Sequence, residues 1–156
     1  MKKLQGFISY SHDDKSMCRV LLQHFAPTTR AGGVEFWADP DIVAGDRFRE
    51  KIDARIARAD FFVLLFSPSF NSSKFIEKVE LPAILDRAKT DATPMFPIQL
   101  KACIPLRELR PFQMVPKGHQ DRVKPIDQWA PRGRGFEEAH GQLLQALERK
   151  FPGWQP

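Results

Sequence analysis

Phe61-Phe-Val-Leu-Leu-Phe66 is a run of six apolar residues, followed at once by Ser67-Pro-Ser-Phe-Asn-Ser-Ser73. A short, unbroken apolar run that ends in turn residues predicts a strand buried on both faces, the mark of a parallel sheet. The hydroxyls and the amide beyond it suit the capping of a following helix. Working outward, Leu4 to Tyr10 reads as a second buried strand whose end turns polar in Ser9-Tyr-Ser-His-Asp-Asp14. Val34 to Trp37 reads as a very short strand after Gly32-Gly33, and Pro97 to Leu100 as a fourth.

Helical spacing fills the intervals. Met17, Val20, Leu21, Leu22 and Phe25 form a stripe that is expected to stop near Pro27. After the loop Asp39–Gly45, Asp46 suits an N-cap, and Phe48, Ile52, Ile56 and Ala59 recur at three or four residues. A third helix carries Phe75, Ile76, Val79, Ile84 and Leu85, with Pro82 inside it and expected to kink it. Gly135 to Phe151 reads as a closing helix with Leu143, Leu144 and Leu147 on its apolar side. Alternation of strand and helix predicts a parallel sheet with helices on both faces. Ligands in such folds collect at the carboxyl ends of the strands, where Ser9, Tyr10, Ser11, Asp39 and Ser67 converge.

With 42% apolar and 28% charged residues, the 156-residue chain fits one folded domain at the usual ~150 residues each. No run nears the ~18 apolar residues of a membrane helix, and no secretory signal is visible. Cys18 and Cys103 have no metal or disulfide spacing, which suits reduced thiols in a cytoplasmic protein. The net charge of +5 resides in Lys101–Arg134, with eight bases against three acids; the rest balances at sixteen each. This proline-rich segment holds only Phe112 and Trp129 as aromatics, so direct nucleic-acid binding is not expected. Phosphate loops, a GxSxG elbow and metal-spaced histidines are all missing, so no metal site is expected. Asp13-Asp14 is similar to the acidic pocket of response-regulator receivers, yet that fold needs an acceptor Asp where this chain has Ser67-Pro68. Glu80 stands among Val79, Leu81, Pro82 and Ile84, with Ile76 four residues before it. Its own stripe is apolar, although a surface glutamate is also compatible with the sequence.

Phe7-Ile-Ser-Tyr-Ser-His-Asp-Asp14 resembles the opening motif of Toll/interleukin receptor (TIR) domains. Trp37-Ala-Asp-Pro-Asp-Ile-Val-Ala-Gly45 with Ala59–Ser67 resembles their second box, and Pro125-Ile-Asp-Gln-Trp129 the third. Ser67–Ser73 with Val79-Glu-Leu81 resembles the segment bearing the catalytic glutamate of bacterial members. The resemblance runs in order from residue 4 to residue 150. It implies a flavodoxin-like, three-layer α/β fold with a central parallel sheet of four to five strands. It also implies one TIR domain over residues 1–151, with 152–156 as a short tail.

In function, the resemblance implies cleavage of NAD+ at its nicotinamide–ribose bond, with NAD+ as substrate and no further cofactor. Glu80 takes the catalytic position. Phe7, Ser9, Tyr10, Ser11, Phe48 and Ile76 line the substrate site, and Asp39, Asp41 and Gly45 belong to a loop for TIR–TIR assembly. Ile76 stands where family enzymes often carry Trp; Phe75 is adjacent but about 100° away on an ideal helix. Ser11 stands where many active members carry Arg. The product, ADP-ribose or a cyclic form, stays open. An NAD+ nucleosidase of bacterial immune or antiphage signalling, working with other TIR domains and a fused or separate sensor, is therefore expected. The competing readings are a non-enzymatic TIR adaptor and, further off, a nucleoside deoxyribosyltransferase.

Overall fold

The structure, a computed structural model, describes residues 2–38 and 48–155, and of Phe48 the backbone alone. The expected N-cap Asp46 and the loop residues Asp39, Asp41 and Gly45 lie outside the described residues, as does the Phe48 side chain. The apolar run forms strand β3, Phe61–Phe66, with all six residues buried. It pairs in parallel with β1, Leu4–Ser9, through Gly6↔Phe61 to Ser9↔Leu64. On its other side lies β4, Met95–Gln99, and β2, Val34–Ala38, flanks β1. Among the described residues the sheet is four-stranded, in the order β2-β1-β3-β4.

Strand alternation divides the core into two layers. Phe61, Val63 and Leu65 face one layer with Ile8, and α1 (Lys15–Arg30) and α5 (Arg132–Lys150) cover it through Leu21, Phe25, Leu143 and Leu147. Phe62, Leu64 and Phe66 face the other with Phe7, under α2 (Phe48–Arg58) and α4 (Leu81–Thr90) through Ile52, Ile56 and Ile84. The three-layer α/β architecture is thus the expected one. Gly6 is required at the centre, because a Cβ there would lie 2.6 Å from the Phe61 ring. That ring sits edge-on to Phe36, with centroids 5.8 Å apart. Arg87 fastens the two helices of the second layer together: its guanidinium donates to the carbonyls of Ile56 (2.6 Å), Ala57 (3.1 Å) and Ala59 (2.9 Å). Those are carbonyls at the end of α2, which a helix leaves without partners of its own.

Two prolines behave differently from the sequence expectation. α1 does not stop near Pro27 but runs on to Arg30. Burial of Phe25 and Thr28 outweighs the local cost of one lost backbone bond. Pro82 does not kink the middle of a helix; it stands in the first turn of α4, directly after a π-helical turn over Ile76–Glu80. Beyond α5, Trp154 returns to the core and its indole N–H donates to the carbonyl of Gly33 at 2.8 Å. No helix among the described residues is long and apolar enough to cross a membrane.

α1 and α5 also meet through a polar contact, Thr28 Oγ1 to His140 Nε2 at 3.2 Å, with the imidazole edge-on to Phe25. Burial, and then the nearby His24, hold the His140 pKa below its ordinary value. The neutral imidazole is the form that packs. The unfolded chain therefore binds the proton more readily, and the stability present above the ordinary histidine pKa is lost on acidification. Between about pH 7 and pH 5 the melting temperature should fall, and it should fall less in a His140→Gln variant. Equal slopes in the two proteins would exclude His140 as the source.

Candidate functional site

β1 delivers Tyr10 and Ser11 just past its carboxyl end, and Ser11 caps a 3-10 turn, His12–Asp14, by accepting from the Asp13 N–H at 3.4 Å. β3 is followed by Ser67, whose Oγ caps the short helix α3 (Pro68–Ser72) by accepting from the Phe70 N–H at 3.0 Å. The chain then passes through Ser73 into the π turn. Between these two strand ends lies a cleft of about 130 Å³, lined by Ile8, Tyr10, His12, Ser73, Phe75, Ile76 and Glu80. Glu80 is only 7% exposed, which removes the surface-glutamate reading.

The π turn decides which side chains reach that cleft. Pro82 has no N–H, and in an α-helix its ring would clash with the carbonyl four residues back, that of Lys78. Widening the preceding turn relieves this conflict, and the Leu81 N–H accordingly bonds to the carbonyl of Ile76, five residues back. The extra residue in the turn brings Phe75 onto the same wall as Ile76 and Glu80. An ideal helix had left Phe75 turned away from that wall. The cleft therefore has an aromatic ring beside its carboxylate, supplied one position earlier than the spacing suggested.

Of the residues singled out in the sequence, Tyr10, Ile76 and Glu80 come together. Phe7 does not line the cleft: it is 1% exposed and stacks on Trp37 with centroids 5.2 Å apart. Ser9 is fully buried with its Oγ unpartnered, and Ser11 is buried at the turn it caps; neither lines the cleft. Phe48 and the proposed assembly residues Asp39, Asp41 and Gly45 fall outside the described residues. His12, Ser73 and Phe75 were missed. The histidine had been weighed only for metal spacing, and Phe75 was misplaced because sequence spacing assumes an ideal α-helix.

Behind the cleft, the acidic pair found in the sequence resolves into one buried carboxylate. Ser67 Oγ donates a short hydrogen bond to Asp14 Oδ2, and the Lys101 ammonium lies 3.3 Å from Oδ1, an ion pair without hydrogen-bond alignment. Strand ends β1, β3 and β4 are thereby tied together. Burial, reinforced by the Asp14 charge, pushes the Cys18 thiol up to about 12, far from the range of a nucleophile. No group of three metal-ligating side chains occurs among the described residues. Nor does any residue of the basic segment Lys101–Arg134 line the cleft.

Comparison with known proteins identifies the family of the chain. A family model described as TIR domain matches residues 7–144. An uncharacterized protein y4lF of Sinorhizobium fredii is 29% identical over 147 residues, which is 92% of this chain and 43% of that protein. The 2' cyclic ADP-D-ribose synthase BtTIR of Bacteroides thetaiotaomicron is 30% identical over 98 residues, 62% of this chain and 33% of the synthase. The chain spans less than half the length of the curated relatives it matches. Among solved structures, the TIR domain of the Toll-related receptor TRR-2 from Hydra magnipapillata superposes with a TM-score of 0.57. That likeness covers 92% of this chain and 97% of the receptor domain at 14% identity, a likeness of fold. Since the family match takes in residues of all four strands, the π turn with Glu80 and most of α5, the chain belongs to the TIR domain family.

Proposed function

We propose that this TIR domain cleaves NAD+ at the bond between nicotinamide and ribose, with Glu80 as the catalytic carboxylate. One observation carries the reading: a buried glutamate in the wall of a cleft at the carboxyl ends of parallel strands, with Tyr10 and Phe75 beside it. Nicotinamide in NAD+ bears a positive charge, so it takes the bonding electron pair and leaves neutral, without help from a general acid. Positive charge then develops on the ribose ring, and a fixed carboxylate in a poorly solvated wall stabilises it. Attack by water, which loses a proton, gives ADP-ribose; attack by a hydroxyl or ring nitrogen of the same molecule gives a cyclic product. The Bacteroides relative, named as a cyclic ADP-D-ribose synthase, supports the same bond as the target.

A cleft of about 130 Å³ is small against the ~300–1,000 Å³ of ordinary ligand sites. We infer that it takes the nicotinamide end and that a second copy of the domain completes the site. NAD+ turnover should then rise faster than linearly with protein concentration; strict proportionality from dilute monomer upward would reject this. The test of the activity itself is incubation with NAD+, followed by nicotinamide quantification and mass analysis of the nucleotide product. An intact NAD+ pool after incubation of the assembled protein would leave the adaptor reading in its place. The setting that fits this chemistry is immune or antiphage signalling on the cytoplasmic NAD+ pool, with a sensor domain controlling assembly.

A further inference from the structure

A cavity much larger than the cleft at Glu80 lies elsewhere in the described part of the molecule. It is a groove of about 870 Å³ at the opposite end of the sheet, walled by the end of α4, the start of β4, residues 111–121 and the last turns of α5. Its size is that of a whole-ligand site. Three properties point to one class of ligand.

The first is an open strand edge. Phe62 N–H bonds to the carbonyl of Pro94 and Leu100 N–H to that of Phe66, so the even-numbered residues of β4 face β3. The odd-numbered ones face outward. There Gln99 N–H bonds to the carbonyl of Val115, and Val115 N–H to that of Pro97. Met95 is next along the same outward edge, and its main-chain N–H and C=O have no backbone partner there among the described residues. An adjacent donor and acceptor of this kind match the Watson–Crick edge of adenine, which offers a ring-nitrogen acceptor beside its N6 amino donor. Pro97 has no N–H to extend a ladder, so an added peptide strand is a poor occupant.

The second property is an apolar wall: Phe96, Phe112 and Val115, all half-buried, line the groove and suit a planar base. The third is charge. Lys117, Arg149 and Lys150 line it against the single carboxylate of Asp121. Asp121 pairs with Lys117 at 3.4 Å, while Arg149 and Lys150 have no ion pair among the described residues. The wall is also fixed, because the Gln142 side-chain amide accepts from the Lys117 N–H at 2.8 Å and donates to its carbonyl at 3.0 Å.

We propose that this groove is a second ligand site that takes an adenine nucleotide, base against the Met95 edge and phosphate toward Arg149, Lys150 and Lys117. It stands independently of the reading of Glu80. The probe is AMP, titrated beside adenosine and inorganic phosphate by calorimetry and amide NMR, into the wild type, Glu80→Gln and the double variant Arg149→Glu/Lys150→Glu. Both altered residues of the double variant are exposed, and its amide spectrum reports that it is folded. Expected are saturable AMP binding with shifts centred on Met95 and Val115, weaker binding of adenosine and of phosphate, and an unchanged affinity in Glu80→Gln. The double variant should weaken AMP by roughly tenfold or more, the scale of a lost charge-assisted contact. No saturation at millimolar AMP, wild-type affinity in the double variant, loss of binding in Glu80→Gln, or equal binding of phosphate alone would each overturn the proposal.

Discussion

Glu80→Gln should lower NAD+ turnover by about 10²–10³-fold, the usual cost of deleting one preorganised charge at a transition state. The amide keeps the size and shape of the side chain and removes the negative charge that opposes the growing positive charge on ribose. In the ground state the positive charge lies on the nicotinamide ring, and only as the bond breaks does it move onto the ribose carbons that the carboxylate is placed to stabilise. The loss should therefore appear in kcat, with KM nearly unchanged. Nicotinamide release at saturating NAD+ measures it, alongside a thermal melt to show that the variant is folded. Turnover in the variant close to wild type would sink the assignment of Glu80. Loss of activity together with collapse of the melt would transfer the role of Glu80 to structure.

Asp14→Ala should be the most damaging single polar change outside that cleft. Its carboxylate is 1% exposed and holds the Ser67 hydroxyl, which in turn caps α3. Deleting it leaves a fully buried hydroxyl short of its acceptor and a small cavity, together about 2–4 kcal/mol. The Lys101 pairing adds little, since that side chain is 39% exposed and solvent screens it. For a chain of this size the melting temperature should drop by roughly 4–16 °C. Asp14→Asn retains an acceptor for Ser67 and should lose much less. A melting temperature for Asp14→Ala within about 2 °C of wild type would show that the strand ends are held by other contacts.

Most of the fold could be read from hydrophobic period alone. The run Phe61–Phe66 and the shorter run at Leu4 named two central strands, and the stripes through Leu21 and Leu147 named the helices that cover one face. What escaped was what proline does in context. Pro27 is a stop signal locally, and only the burial of Phe25 and Thr28 on the far side of the helix carries α1 past it. Pro82 was read as a kink, whereas its effect falls on the turn before it. The candidate site shared this fate. Glu80 was legible from its apolar stripe and the family motif, but the arrival of Phe75 in the same wall depends on a backbone hydrogen bond that no side-chain pattern encodes. Phe7 lies in the α2/α4 layer, stacked on Trp37, while its neighbour Ile8, facing the other layer, is the β1 residue that lines the cleft. The basic segment Lys101–Arg134 lines no part of the cleft. It contributes Lys117 to the groove at the other end of the sheet instead, because the connection after β4 folds back along that strand.

The return of Trp154 to Gly33 has a consequence for how the chain is made. One entire layer of the core, between α1 and the sheet, is closed by α5 and this indole, which meets a partner 121 residues earlier in sequence. Contacts that distant form late, since a long loop must be closed before they return anything. While the chain is still on the ribosome, Leu21, Phe25 and Phe61 have no lid. Closure of this layer should therefore wait for the synthesis of α5, which leaves chaperones an interval before it in which to act.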